Sequence, residues 1–196
     1  MGTFVIIGLC GAPGSGKSTA AEYLHERYGL MRLRFADPLK NMLRAYYRTL
    51  GLSERAIERR IEGDMKTTED PSLGGVSPRY AMQTLGTEWG RNLVGDALWT
   101  AAWAMRVGRA SLDGAPGVVC EDLRFPNEAA ELRALGCLLV RVVRPGQANV
   151  AGGIVGHSSE GQSLSPDITV SNCGDRVTLG PAIASALRGH TRGDWL

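Results

Sequence analysis

The chain has 196 residues, 43% of them apolar and 21% charged, with a formal net charge of +2. That is enough apolar material for one compact core with room for an inserted subdomain, which excludes a disordered chain. No run of 18 apolar residues occurs and no basic segment precedes a long apolar stretch at the N-terminus, so neither a membrane span nor a secretory signal is expected.

So small a charge gives no reason to expect a stable nucleic-acid partner. Three lysines (Lys17, Lys40, Lys66) stand against nineteen arginines, which makes the position of each lysine informative. Cys10, Cys120, Cys137 and Cys173 are far apart and lack C-x-x-C spacing. That argues against a metal or redox site, and Cys10, Cys120 and Cys137, in or beside apolar runs, read as buried thiols in a reducing cytoplasm.

In chain order, Thr3 to Cys10 is a short β-branched apolar run, the pattern of a buried parallel strand. A Gly-rich turn, Gly11 to Gly16, leads into a helix from Lys17 to Tyr28 that Gly29 stops. Met31 to Phe35 reads as a second, shorter strand. From Asp37 to about Arg109 the chain reads as mostly helical, with breaks near Gly63–Asp64 and over Asp70 to Gly75. Strands follow at Gly117 to Cys120, Leu138 to Val143 and Asp167 to Val170, with helices at Pro126 to Leu135 and Val177 to Leu187. Alternating strands and helices predict an α/β fold, a parallel five-stranded sheet flanked by helices. Residues 1–36 and 115–196 would form its core, 37–114 a helical insertion, and about 145–166, rich in Gly and Ser, a mobile lid.

Gly11-Ala12-Pro13-Gly14-Ser15-Gly16-Lys17-Ser18 matches G-x-x-x-x-G-K-[ST] without a mismatch, between a strand and a helix as the motif requires. Glycines let backbone N–H groups converge on phosphate oxygens, and the helix N-terminus adds favourable partial charge. Lys17 can reach the β- and γ-phosphates of a nucleoside triphosphate, and Ser18 can ligate Mg²⁺. Thr19 completes the segment. A GTPase would need an Asn-Lys-x-Asp base reader; Asn172-Cys-Gly-Asp175 lacks the lysine. A short core, a helical insertion after the second strand and a late lid are the layout of a small P-loop kinase.

Set on a helix at 100° per residue, Ser77 to Leu93 gives two stripes. Met82, Leu85, Trp89 and Leu93 form a packing stripe within about 80°. Arg79, Gln83, Gly86 and Gly90 fall within about 60° of one another, a cation, an amide and two positions without side chains. Such a stripe suits a phosphorylated ligand, or a solvated helix whose glycines ease packing.

Phe35-Ala-Asp-Pro-Leu-Lys40, Ser77-x-Arg79 with Met82-Gln-x-Leu-Gly-Thr-Glu-x-Gly-Arg91, and Glu121-Asp-Leu-Arg-Phe-Pro-Asn-Glu128 resemble the bacteriophage deoxynucleoside monophosphate kinases. Arg141-Val-Val-Arg144, His157-Ser-Ser-Glu160 and Asp167-Ile-Thr-Val-Ser-Asn172 extend the likeness over nearly the whole chain. The resemblance implies ATP as phosphoryl donor with Mg²⁺, a deoxynucleoside monophosphate as acceptor, and a cytoplasmic enzyme, of the host if viral. It leaves room for a homodimer. By the same resemblance, Asp37 and Lys40 face the acceptor, Arg79 holds its phosphate, Gln83 reads the base edge, and Arg91 is a further phosphate ligand. Asp122 would orient the Mg²⁺ shell, with Arg124 contacting a phosphate. Arg144, opening the lid, would stabilise charge during transfer. Asn172 to Gly174 would lie under the adenine of ATP through backbone groups, side-chain identity mattering little.

Asp37 leaves an alternative open, since a kinase acting on a hydroxyl of a small metabolite or modified nucleoside would use it as a base. A phosphate-monoester acceptor is already anionic and needs cations instead. Arg79, Gln83, Lys40 and Arg124 favour the phosphate acceptor.

Overall fold

The computed structural model describes residues 4–146, 164–174 and 176–190. The chain divides into two compact units, one formed by Met1–Arg34 with Trp103–Leu196 and the other by Phe35–Ala102.

The first unit is built on strands β1 (Val5–Cys10), β2 (Met31–Arg32), β3 (Gly117–Cys120), β4 (Leu138–Val143) and β5 (Ile168–Ser171). They form one parallel sheet in the order β2-β3-β1-β4-β5. Every residue of β1 and β3 is buried, as a strand covered on both faces requires. Ile7 pairs with Val119 on one side and Leu138 on the other. Leu24 of α1 (Lys17–Tyr28) and Ile183 and Leu187 of α7 (Arg176–Arg188) close the core over these strands.

The second strand is shorter than its sequence suggests. Leu33 N–H still donates to Val119 O at 3.0 Å, continuing the ladder by one bond. The chain then turns so that Asp37-Pro38 can open α2 (Asp37–Thr49), where proline's missing N–H costs nothing.

The second unit stacks α2, α3 (Glu54–Ile61) and α4 (Pro78–Thr84) around Leu39, Leu43, Tyr47, Ile57, Ile61, Met82 and Trp99. Ser53 and Ser77 cap α3 and α4, accepting from Ala56 N and Tyr80 N at 3.3 Å each. The loop at Asp70 is a structural hub. Its carboxylate accepts from Tyr47 Oη (2.9 Å), Arg60 Nε (2.8 Å) and Ser72 N (3.0 Å). Burial pushes this carboxyl upward, but the bonds from Ser72, Arg60 and Tyr47 outweigh it and hold the group below its usual range.

The helix predicted over Ser77 to Leu93 changes character after Thr84, because Leu85–Val94 is wound as a π-helix. Each residue there advances by less than 100°, so the predicted packing stripe drifts along the helix: Met82 and Leu85 pack on the core and the Trp89 ring meets Trp99, but Leu93 leaves it. Met82 is 7% exposed, but Trp89 is 39% and Leu93 78% exposed. Trp99 sits where the helix departs from α geometry. Its Nε1 donates to Gly86 O at 2.8 Å, and a Cβ at Gly90 would lie 2.5 Å from its ring. An indole wedged against a helix where no Cβ stands is a recognised cause of such a distortion. Gly90 is thus a packing residue. Gly90→Ala should cost about 1–3 kcal/mol of overpacking strain, read as a lower urea midpoint with an unchanged m value.

The division between the units falls inside α5 (Leu98–Leu112), twelve residues before the rear boundary at 114 read from the sequence. Trp103 accounts for this, since it is fully buried and its Nε1 donates to Leu33 O at 2.9 Å, within the first unit. The last helix of that unit before β4 is α6 (Pro126–Ala134).

Candidate functional site

Because the strands are parallel, the segments leaving β1, β3, β4 and β5 all depart from one edge of the sheet, at the centre of which the chain reverses strand order. This brings Lys17 and Ser18, Asp122 and Arg124, Arg144, and Asn172 to the same edge.

Gly11, Gly14 and Gly16 have φ of 138°, 77° and 110°, conformations that place successive N–H groups around a concavity and that L side chains resist. Ser15 N donates back to Ala12 O at 3.2 Å, tightening the turn. The first turn of α1 carries no acidic residue and Gly16 offers no capping side chain. Its N–H groups and dipole are therefore available to an anion.

Lys17 Nζ donates to Gly11 O and Ala12 O, both at 2.8 Å, so the loop's own carbonyls hold the ammonium over the loop. Burial pushes this ammonium down from its ordinary value, and the Arg124 guanidinium adds to the effect; Cys10, Glu121 and Asp122 oppose it. Lys17, Arg124, Asp122 and Glu121 thus share one electrostatic neighbourhood. The two cations repel each other, a cost that Glu121 and Asp122 offset in part and a bound polyanion would offset further.

Asp122 is half-buried two residues beyond β3, and its Oδ1 lies 3.4 Å from Cys120 Sγ. Arg124 is exposed, and its N–H, with that of Phe125, is held by Glu128 Oε2 at 2.8 and 3.0 Å. Glu121 is spoken for: Arg32 donates to both its oxygens, at 2.6 and 2.9 Å. The oxygen donors Ser18 and Asp122 suit Mg²⁺, which takes one or two protein oxygens and completes its shell with phosphates and water. Among the described residues no cluster of three or more His, Cys, Asp or Glu could hold a metal.

Arg144 is exposed just past β4. Arg141 donates to Leu164 O. Of the predicted lid, residues 147–163 lie outside the described residues, His157 to Glu160 among them.

The second unit carries the other candidates. Arg79 and Gln83 stand one turn apart on α4, both half-buried. Gln83 Oε1 is sealed from solvent with no hydrogen-bond partner among the described residues, and the Nε atom of Arg79 is likewise shielded. A buried acceptor left unpaired is costly and marks a place where a ligand donor fits. Asp37 occupies the first turn of α2, where a carboxylate is also favoured by the helix dipole. Lys40, 8% exposed, is bonded to Glu62 at 2.8 Å, and Arg91 to Asp96 at 3.2 Å. Gly90 is required by the Trp99 ring, whereas a Cβ at Gly86 would meet Leu39 Cδ2 only at an ordinary 3.4 Å, so packing accounts for Gly90 of the stripe drawn on the α-helical wheel and not for Gly86.

Sequence reasoning overlooked the Asn172 side chain. It is 8% exposed, and Nδ2 donates to Ser15 O at 2.8 Å. The signal was present: Ile168 and Val170 are buried and Thr169 and Ser171 exposed, so the period of two carries Asn172 to the buried face. Gly174, two residues on, packs against Thr178.

No protein-family model matches the chain. A mimivirus protein (Acanthamoeba polyphaga mimivirus) named as a deoxynucleotide monophosphate kinase is 35% identical over 159 residues, 74% of this chain and 77% of that protein. The deoxynucleoside-5'-monophosphate kinase of Escherichia phage T5 is 38% identical over 73 residues, 35% of this chain and 28% of the phage protein. Among solved structures, an unliganded sugar kinase from Janibacter sp. HTCC2649 superimposes with a TM-score of 0.50 at 14% identity over 95% of both chains, a likeness of fold. With the phosphate loop at the head of a parallel sheet and a relative matched over three quarters of its length, the chain belongs to the deoxynucleoside monophosphate kinase family and is a nucleotide kinase.

Proposed function

We propose that the protein transfers the γ-phosphoryl group of MgATP to a deoxynucleoside 5'-monophosphate, giving ADP and the deoxynucleoside diphosphate. The observation that carries this reading is the pairing on α4 of Arg79 with a buried, unsatisfied Gln83 acceptor one turn away. A guanidinium grips a phosphate monoester bidentately, and an amide beside it suits a base edge.

In this reading the monoester oxygen of the acceptor attacks the γ-phosphorus while the bond to the β–γ bridging oxygen breaks. The acceptor is ionised at neutral pH, so no side chain need remove a proton. The protein's task is to hold two polyanions in line and to neutralise the moving charge. Gly11 to Thr19 cradle the donor phosphates, Lys17 leaving its loop carbonyls for them. Arg124 and Arg144 add positive charge, Arg144 from the head of the lid at about 145–166. Mg²⁺, held through Ser18 and Asp122, would neutralise the β- and γ-oxygens. Arg79 and Gln83 hold the acceptor, and Asp37 contacts it. Lys40 and Arg91 reach its phosphate by exchanging Glu62 and Asp96 for it. Asn172 and Gly174 border the donor base. The core is the donor domain, the helical insertion the acceptor domain, and the cytoplasm the place of action.

The test is incubation with labelled MgATP and a panel of ribo- and deoxynucleoside monophosphates. Deoxynucleoside diphosphates should appear. Transfer to no monophosphate, or to a hydroxyl instead, would overturn the reading.

A further inference from the structure

We propose that the Asn172 side chain is a positioning residue of the phosphate cradle, aiming the Ser15–Gly16 peptide rather than reading the base of the donor. The proposal rests on the loop being a triphosphate cradle and says what sets its shape.

The contact joins residues 157 positions apart. Asn172 Nδ2 donates to Ser15 O at 2.8 Å in a buried setting. Only the amide nitrogen can donate to a carbonyl, so the orientation of the amide follows from the chemistry. Ser15 O and the Gly16 N–H belong to one planar trans peptide and point in opposite directions. Drawing the carbonyl toward Asn172 therefore turns the Gly16 N–H the other way, away from Asn172.

Asn172 is well placed to do this because it is itself held. Its backbone N–H donates to Val143 O at 2.7 Å, and its side chain continues the buried face of β5. The fit is mutual. A Cβ on Gly16 would lie 2.6 Å from Asn172 Nδ2 and 2.8 Å from Leu179 Cδ2. Gly16 is thus required twice, for its φ of 110° and for the room its missing side chain leaves Asn172. An aspartate of the same shape would present no donor and would set a carboxylate against a carbonyl. An alanine would leave the Ser15 carbonyl buried without this partner, and the peptide would lose its aim.

Inorganic tripolyphosphate provides the test, because it has phosphates and no base. Its affinity and that of MgATP are measured by calorimetry for the wild type, Asn172→Asp and Asn172→Ala, with circular dichroism and thermal melts to confirm folding. The near-isosteric aspartate variant guards against collapse of the alanine one. Both variants should lose about tenfold or more for tripolyphosphate and for ATP in the same proportion, the loss expected for one well-placed hydrogen bond to a charged ligand's cradle. In turnover, kcat should fall while KM for the monophosphate stays within twofold. Loss of ATP affinity with tripolyphosphate binding unchanged would show that Asn172 reads the base, and unchanged binding of both would show that it does neither. Either result overturns the proposal. A wild type that binds neither ligand would instead refute the triphosphate cradle itself, and the proposal with it.

Discussion

Lys17→Ala is expected to reduce kcat/KM by at least about 10²–10³-fold, the loss seen when one preorganised donor to developing charge is removed. The fold should survive. The Lys17 ammonium is bonded to loop carbonyls rather than to core groups, and burial, with Arg124 adding to it, disfavours its charge more than Cys10, Glu121 and Asp122 favour it. The alanine variant should therefore melt at or slightly above the wild-type temperature while losing the melting shift that MgATP gives the wild type. A coupled assay and a thermal melt with and without MgATP check both halves. Retained activity would mean that the loop does not handle the transferred phosphate.

Arg79→Ala should act on the other substrate. Removing one partner of a desolvated ion pair costs about 2–5 kcal/mol, which here means a rise of about 30- to 4,000-fold in KM for the monophosphate. KM for ATP should stay within twofold, since Arg79 belongs to the acceptor side. Arg79→Lys keeps the charge but not the planar fork, so it should recover only part of the loss. Initial-rate kinetics with each substrate varied in turn separate these outcomes. An equal effect on both substrates would remove Arg79 from the acceptor site.

Much of the molecule was legible in one dimension. The β1 run, the Gly11–Ser18 motif and the α1 helix ending at Gly29 read directly, because local rules of burial, φ and capping all agree there. The parallel sheet followed from the alternation of elements, and the family from motif order. Legibility failed where a distant side chain overrides local periodicity. The wheel drawn over Ser77 to Leu93 assumed α geometry throughout, and Trp99, bonded to Gly86 O and packed on Gly90, lies against a stretch wound differently. Of the two glycines that the wheel left open between a ligand and packing, Gly90 accommodates the Trp99 ring.

Residue chemistry along the chain sufficed to specify a phosphate loop and the strands and helices beside it, since each depends on neighbours a few positions apart; the alternation of those elements and the order of the motifs then pointed to a parallel sheet and a family. Long-range packing settled the rest. It committed Lys40 to Glu62, sealed Gln83 Oε1 from solvent, and set Asn172 against Ser15 across 157 residues of sequence. Such pairings arise only once the core has closed, because the cost of bringing remote groups together is met collectively by burial and not by any motif the pair contains.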